Sequence, residues 1–122
     1  MNLVAKVFLG DNDVYALGPG RVALLRATEK LGSLNKAAKS VGMSYRWAWG
    51  RIKDSETALG IDLLAKAPKR GQAKGLTDQG RELLDWYSSL EQKIAEVLKE
   101  FPQPGFLPPD VAVKNPKRPC LD

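Results

Sequence analysis

Within Gly32 to Lys53, GSLNKAAKSVGMSYRWAWGRIK, two serine caps and a glycine break leave the backbone few alternatives. Ser33 can cap a short helix whose apolar positions Leu34, Ala37, Ala38 and Val41 recur at helical spacing. Gly42 then stops that helix, in the kind of tight turn that glycine permits. Ser44 offers a second N-cap, and the helix that follows carries Arg46, Arg51 and Lys53. Two capped helices joined by a short turn, the second of them basic, make a helix-turn-helix. The basic second helix is the element that such a motif presents to DNA.

The charge pattern agrees with that reading. Residues 19–43 hold five Lys/Arg against one Glu, and residues 44–75 hold seven against three acidic groups. Residues 77–101 reverse the balance, with three Lys/Arg against six Asp/Glu. Most of the formal net charge of +5 therefore sits on the helix-turn-helix and the segment after it, which suits attraction to phosphate. A solvated basic face is the alternative for an excess of this size. The chain has no histidine and one cysteine, Cys120. The commonest general base and the usual zinc ligands are thus missing, and no glycine-rich phosphate loop or acidic cluster replaces them. A protein that is not an enzyme, with no cofactor and no metal, is expected. With 122 residues, no apolar run of membrane-spanning length and no signal-peptide pattern, one cytoplasmic domain is expected.

Val4 to Leu9 and Val14 to Leu17 are β-prone runs around Asp11-Asn12-Asp13, which predicts a hairpin. Pro19 suits the start of a helix running to about Leu31, with Val22, Leu25 and Leu24 on its buried side and Gly32 as terminator. After the second capped helix, Leu63-Leu64-Ala65 starts a short strand. The basic, breaker-rich segment from Lys66 to Gly75 and the return at Leu76-Thr77 read as the wing of a winged helix, or as a plain surface loop. Thr77 caps a helix expected to reach Phe101. Along it Leu83, Tyr87, Leu90, Ile94, Val97 and Phe101 are spaced 4-3-4-3-4, a heptad seam that predicts pairing with a second copy. Packing within one subunit is the alternative. Six of the eight prolines lie between Pro102 and Pro119, so residues 102–122 are expected to form an extended tail after a single unit spanning 1–101.

At about 100° per residue, Tyr45, Ala48, Trp49, Ile52 and Leu59 fall on one side of the second capped helix and are expected to pack inward. Arg46, Trp47, Gly50, Arg51, Lys53 and Asp54 project elsewhere. Arg46 and Arg51 are the candidates for bidentate reading of guanine. Trp47 can lie against sugar or a thymine methyl, or fill a dimer contact. Gly50 lets the backbone approach a groove closely. Ser44 and the free amides at that helix start, with Ser33 and Tyr45, complete the candidate interface. Lys36 and Lys39 on the first helix, Lys53, and Lys69, Arg70 and Lys74 on the wing are cast as phosphate contacts.

GSLNKAAKSVGMSYRWAW followed by LTDQGRELLDWY resembles the N-terminal DNA-binding domain of the ModE family of molybdate-responsive transcriptional regulators. The matching positions are Gly32-Ser33, Ala37-Ala38, Gly42-Met43-Ser44-Tyr45, Ala48-Trp49 and Leu76-Thr77-Asp78-Gln79-Gly80, and the likeness runs from about residue 5 to 101. The resemblance implies a mainly α (α+β) winged helix-turn-helix that dimerises through its terminal helix and binds double-stranded DNA. In the family the wing is commonly a run of paired glycines, whereas this chain has PKRGQAKG. Too few residues follow the terminal helix for a molybdate-binding domain, so no molybdate site is expected in this chain. Three functions stay open at this level. They are a dimeric sequence-specific transcriptional regulator, a sequence-indifferent architectural DNA-binding protein, and a winged-helix module for protein interaction.

Overall fold

The computed structural model describes residues 2–11, 14–66 and 75–108. Two strands and four helices follow one another as β1 (Leu9–Asp11), β2 (Val14–Leu17), α1 (Pro19–Leu31), α2 (Leu34–Ser40), α3 (Tyr45–Leu59) and α4 (Asp78–Glu100). The expected hairpin is present but shorter on its first side, since only Leu9–Asp11 pairs with β2. The register slips between Leu9 and Gly10, and a Cβ on Gly10 would collide with the Tyr15 backbone. Residues 2–8 carry no strand, although they are β-prone. Asn12 and Asp13 of the expected turn lie outside the described residues.

Each helix begins and ends where local chemistry provides for it. Pro19 opens α1, where its missing N–H costs nothing. Ser33 Oγ accepts the Lys36 amide at 3.1 Å, Ser44 Oγ the Trp47 amide at 3.2 Å, and Thr77 Oγ1 the Gly80 amide at 3.0 Å. Between α2 and α3 the chain turns at Gly42, whose φ of 74° lies in the left-handed region that a side chain would disfavour. The Gly42 and Met43 amides donate back to the Lys39 and Ala38 carbonyls and close the turn.

The core lies where α1, α2, α3, β2 and the first half of α4 converge. Leu17, Val22, Leu24, Leu25, Leu34, Ile52, Leu63, Leu76, Leu84 and Tyr87 fill it. Ala37 and Ala38 of α2 and Ala48 of α3 are buried together, and these small side chains let the two helices of the motif approach closely. Arg21 is buried as well. Its Nη1 donates to Ser55 Oγ at 3.0 Å and to the Tyr15 and Ala16 carbonyls at 3.4 Å, so α1, α3 and the hairpin meet on one guanidinium.

The base of the wing is built by backbone pairing. Leu64 and Leu76 form an antiparallel bridge, the Ala65 amide donates to the Gly75 carbonyl at 2.8 Å, and the Thr77 amide donates to the Leu63 carbonyl at 2.9 Å. The expected strand over residues 63–65 is thus a single bridge pair. The Glu56 carboxylate of α3 holds this base, accepting the Leu63 and Leu64 amides at 2.7 and 3.1 Å. Gly80 lies against the same point, and a Cβ there would stand 2.9 Å from the Leu63 carbonyl oxygen. The Leu-Thr-x-x-Gly pattern therefore has one physical meaning: a bridge residue, a cap, and a close approach of α4 to the wing base.

Two expected outcomes follow from this junction. Burial raises the proton affinity of Glu56, but the Leu64 and Leu63 amides and the Lys53 ammonium outweigh it, leaving its pKa below the ordinary glutamate value. A lowered folded-state pKa stabilises the fold above the unfolded-state value, and that contribution is lost as pH falls through the folded one. Glu56→Gln should cost about 1–3 kcal/mol near neutral pH. It should also flatten the acid limb of stability, read by urea unfolding between about pH 7 and pH 3. Gly80→Ala should destabilise by about 1–3 kcal/mol in the same assay, because the added carbon meets backbone that cannot move aside cheaply.

Candidate nucleic-acid interface

The buried side of α3 is centred on Ala48, Ile52, Ser55 and Glu56. This corrects the expected packing face in two places. Tyr45 and Trp49 are each 44% exposed, whereas Ala48 and Ile52 are fully buried and Leu59 is half-buried. Trp49 stands at the rim of the buried face, with the Lys53 Nζ 5.4 Å from its ring centroid. The buried face is taken by Ala48, Ile52, Ser55 and Glu56, and the indole lies outside it.

The opposite side of α3 is open. Arg46, Trp47 and Asp54 are exposed, Gly50 and Arg51 are half-exposed, and together with Ser44 they line a recess of about 400 Å³. Trp47 is 49% exposed and Arg51 lies over it, its Cζ 4.4 Å from the ring centroid, one helical turn further on. Among the described residues neither Arg46 nor Arg51 is ion-paired, so both guanidiniums keep their donors for an external acceptor. Ser44 uses its hydroxyl oxygen on the Trp47 amide and so belongs to the helix start itself. Ser33 does the same for Lys36 on α2, where Lys36 and Lys39 are exposed.

Lys53 differs from the other candidates. Its ammonium is 3.0 Å from Glu56 Oε1 as well as near Trp49, so it is held toward the wing base. Lys69, Arg70 and Lys74 lie outside the described residues. Glu56, which carries the wing base, was not singled out from the sequence. Its one signal was an acid near the C-terminal end of a helix, where the dipole disfavours negative charge.

The heptad seam of α4 divides between two environments. Tyr87 is 1% exposed, and its hydroxyl donates to the Val7 carbonyl at 2.7 Å, so it belongs to the core of its own subunit instead of a seam between copies. Leu83 packs against that core, and Leu90 and Ile94 are half-buried. Val97 and Phe101 are 60% and 64% exposed. Arg26 of α1 reaches Ser88 and Glu91, and Arg81 reaches Glu29, fixing α4 along α1. Residues 102–108 carry neither helix nor strand, and the rest of the proline-rich segment with Cys120 lies outside the described residues.

Gly50 has no conformational or packing reason to be glycine. A Cβ there meets nothing within 4 Å, and its φ is not positive. Glycine in a helix interior costs about 1 kcal/mol relative to alanine, so its place on the open face is a property of the surface. Gly50→Ala should raise stability by about 0.5–1 kcal/mol in thermal or urea unfolding, the reverse of Gly80→Ala.

Comparison with known proteins follows the same geometry. Over 87 residues, 70% of this chain, it is 36% identical to the molybdenum-pterin-binding protein MopB of Rhodobacter capsulatus. It is 34% identical over 88 residues to the transcriptional regulator ModE of Yersinia pestis. The chain spans about a third of the length of these curated relatives, 32% and 33% respectively. In fold it is similar to the CbnR DNA-binding domain in complex with DNA, with a TM-score of 0.52, 20% identity and coverage of 62% of this chain and 84% of that one. ArgP from Mycobacterium tuberculosis matches with a TM-score of 0.51 and 27% identity, over 67% of this chain and 30% of that one. No described helix is long and apolar enough to cross a membrane. Residues 20–81, from the start of α1 to the first turn of α4, match the bacterial regulatory helix-turn-helix protein, lysR family, and the chain belongs to that family.

Proposed function

We propose that this chain is a dimeric, sequence-reading DNA-binding protein that regulates transcription in the cytoplasm, with α3 entering the major groove. The observation that carries this reading is the open side of α3, where Arg46 and Arg51 present guanidiniums that no described carboxylate pairs. A guanidinium matches the N7 and O6 acceptors of guanine, and Arg46 and Arg51 stand on the side of α3 opposite its buried residues Ala48, Ile52 and Ser55. The exposed Lys36 and Lys39 of α2 contact flanking phosphates, as do Lys69, Arg70 and Lys74 of the wing. The names of the relatives, transcriptional regulators among them, support the regulatory role.

Dimerisation is assigned to the far half of α4. Its 23 residues extend roughly 34 Å at about 1.5 Å per residue, further than the core that covers Leu84 and Tyr87. Beyond Leu90, the apolar side chains Ile94 and Leu98 line an open groove of about 800 Å³ with the N-terminal residues 2–7. Val97 and Phe101 stand exposed beside it. A second copy seated on this surface buries them and sets two α3 helices about one DNA turn apart, roughly 34 Å. No oxyanion sensing is assigned to this chain.

Selection of bound fragments from a randomised duplex pool at near-physiological salt tests the reading. An inverted repeat with half-sites about one turn apart is expected. Arg46→Ala or Arg51→Ala should weaken that site by about 1–3 kcal/mol and relax preference at particular bases. Equal loss on all sequences would remove the base-reading role, and recovery of unrelated fragments would indicate architectural binding. Sedimentation should give a dimer, reduced to monomer by charge introduced at Ile94 or Phe101.

A further inference from the structure

On the open side of α3, Arg51 and Trp47 are in contact with each other. The Arg51 guanidinium lies over the Trp47 indole, its Cζ 4.4 Å from the ring centroid, and both line a recess together with Gly50. Stacking on an aromatic face holds the planar fork of an arginine in one orientation while leaving its donor edge outward. The indole in turn offers an apolar edge that its own subunit leaves half exposed. In the major groove one base-pair step presents both complements side by side: the two acceptors of guanine and the 5-methyl group of thymine.

We propose that Trp47, Gly50 and Arg51 form a single reading unit for adjacent thymine and guanine. In this unit Arg51 bonds the guanine edge, while the indole and Gly50 receive the thymine methyl. The proposal rests on the DNA-binding reading above and gives it a base preference. It also accounts for a glycine that neither the fold nor the backbone dihedrals require: a Cβ at position 50 projects into open space, the space that the methyl group occupies. Arg46 lines the same recess, and among the described residues it lies over no aromatic ring. Asp54 also lines the recess, and its charge disfavours a phosphate there, which points the recess at bases.

The test uses duplexes selected by the wild-type protein from a randomised pool, followed by replacement of single thymines with deoxyuridine, which removes only the methyl group. The wild type should select a site with thymine next to guanine, and deoxyuridine at that thymine should weaken binding about fourfold, the factor for burying one methyl-sized group. Trp47→Ala and Gly50→Ala should bind thymine and deoxyuridine duplexes alike. Gly50→Ala, expected to fold more stably than the wild type, separates loss of reading from loss of structure. Arg51→Lys should lose preference for the guanine while retaining non-specific affinity. A selected site lacking a thymine–guanine neighbour overturns the paired reader and leaves the DNA-binding reading standing, as does a deoxyuridine penalty unchanged in Trp47→Ala. No enrichment of any sequence by the wild type overturns both.

Discussion

The arrangement turns on one carboxylate at the end of α3. Glu56 accepts the amides of Leu63 and Leu64, where the chain leaves the helix and begins the wing. Those two amides have no helical partner, and left alone in a buried place each would cost more than a net hydrogen bond contributes. Held there, Leu63 presents its carbonyl to the Thr77 amide, and Thr77 caps α4. The direction of α4 is thus set through three short contacts from the helix proposed to enter DNA. An error at Glu56 would move the wing base, the cap and the start of α4 together.

Polar groups at the interior boundary connect elements, and apolar ones fill space. Arg21 joins the hairpin, α1 and α3 through the Ser55 hydroxyl and two carbonyls, and the hydroxyl of Tyr87 ties α4 to Val7. Between these ties Ala37, Ala38, Ala48 and Ile52 are buried where α2 and α3 meet the core. Trp47 and Trp49 stay half exposed, each with a cation above its ring. The two pairs are chemically alike but differently committed. Lys53 is also held by Glu56, whereas among the described residues Arg51 has no carboxylate partner. A cation tied to an internal acid orients the scaffold. A cation without one is available to a ligand.

The local elements were legible in the sequence because their determinants are local. Ser33, Ser44 and Thr77 cap the helices expected of them, Pro19 opens α1, and Gly32, Gly42 and Gly60 adopt positive φ where a helix stops. These depend on hydrogen bonds three or four residues apart and on backbone sterics, both written in short stretches of chain. The outward placement of Arg46, Trp47 and Arg51 was legible for a related reason, since helical periodicity assigns faces without knowledge of the neighbours.

What only the tertiary structure decided is which apolar residues the core accepts. Periodicity put Tyr45 and Trp49 inward, but the core takes Ala48 and Ile52 of α3 and leaves both aromatic rings nearly half exposed. Periodicity placed Tyr87 on a seam with Val97 and Phe101, yet it is buried in the core and its hydroxyl donates a hydrogen bond to the Val7 carbonyl. The roles of Glu56 and Gly80 depend on Leu63, which lies 7 and 17 positions away in the sequence and is held beside Gly80 by the Leu64–Leu76 bridge and the Thr77 amide. A sequence pattern gives the phase of a helix. It does not give the shape of the surface that the helix meets, because that shape is made by residues distant in the chain.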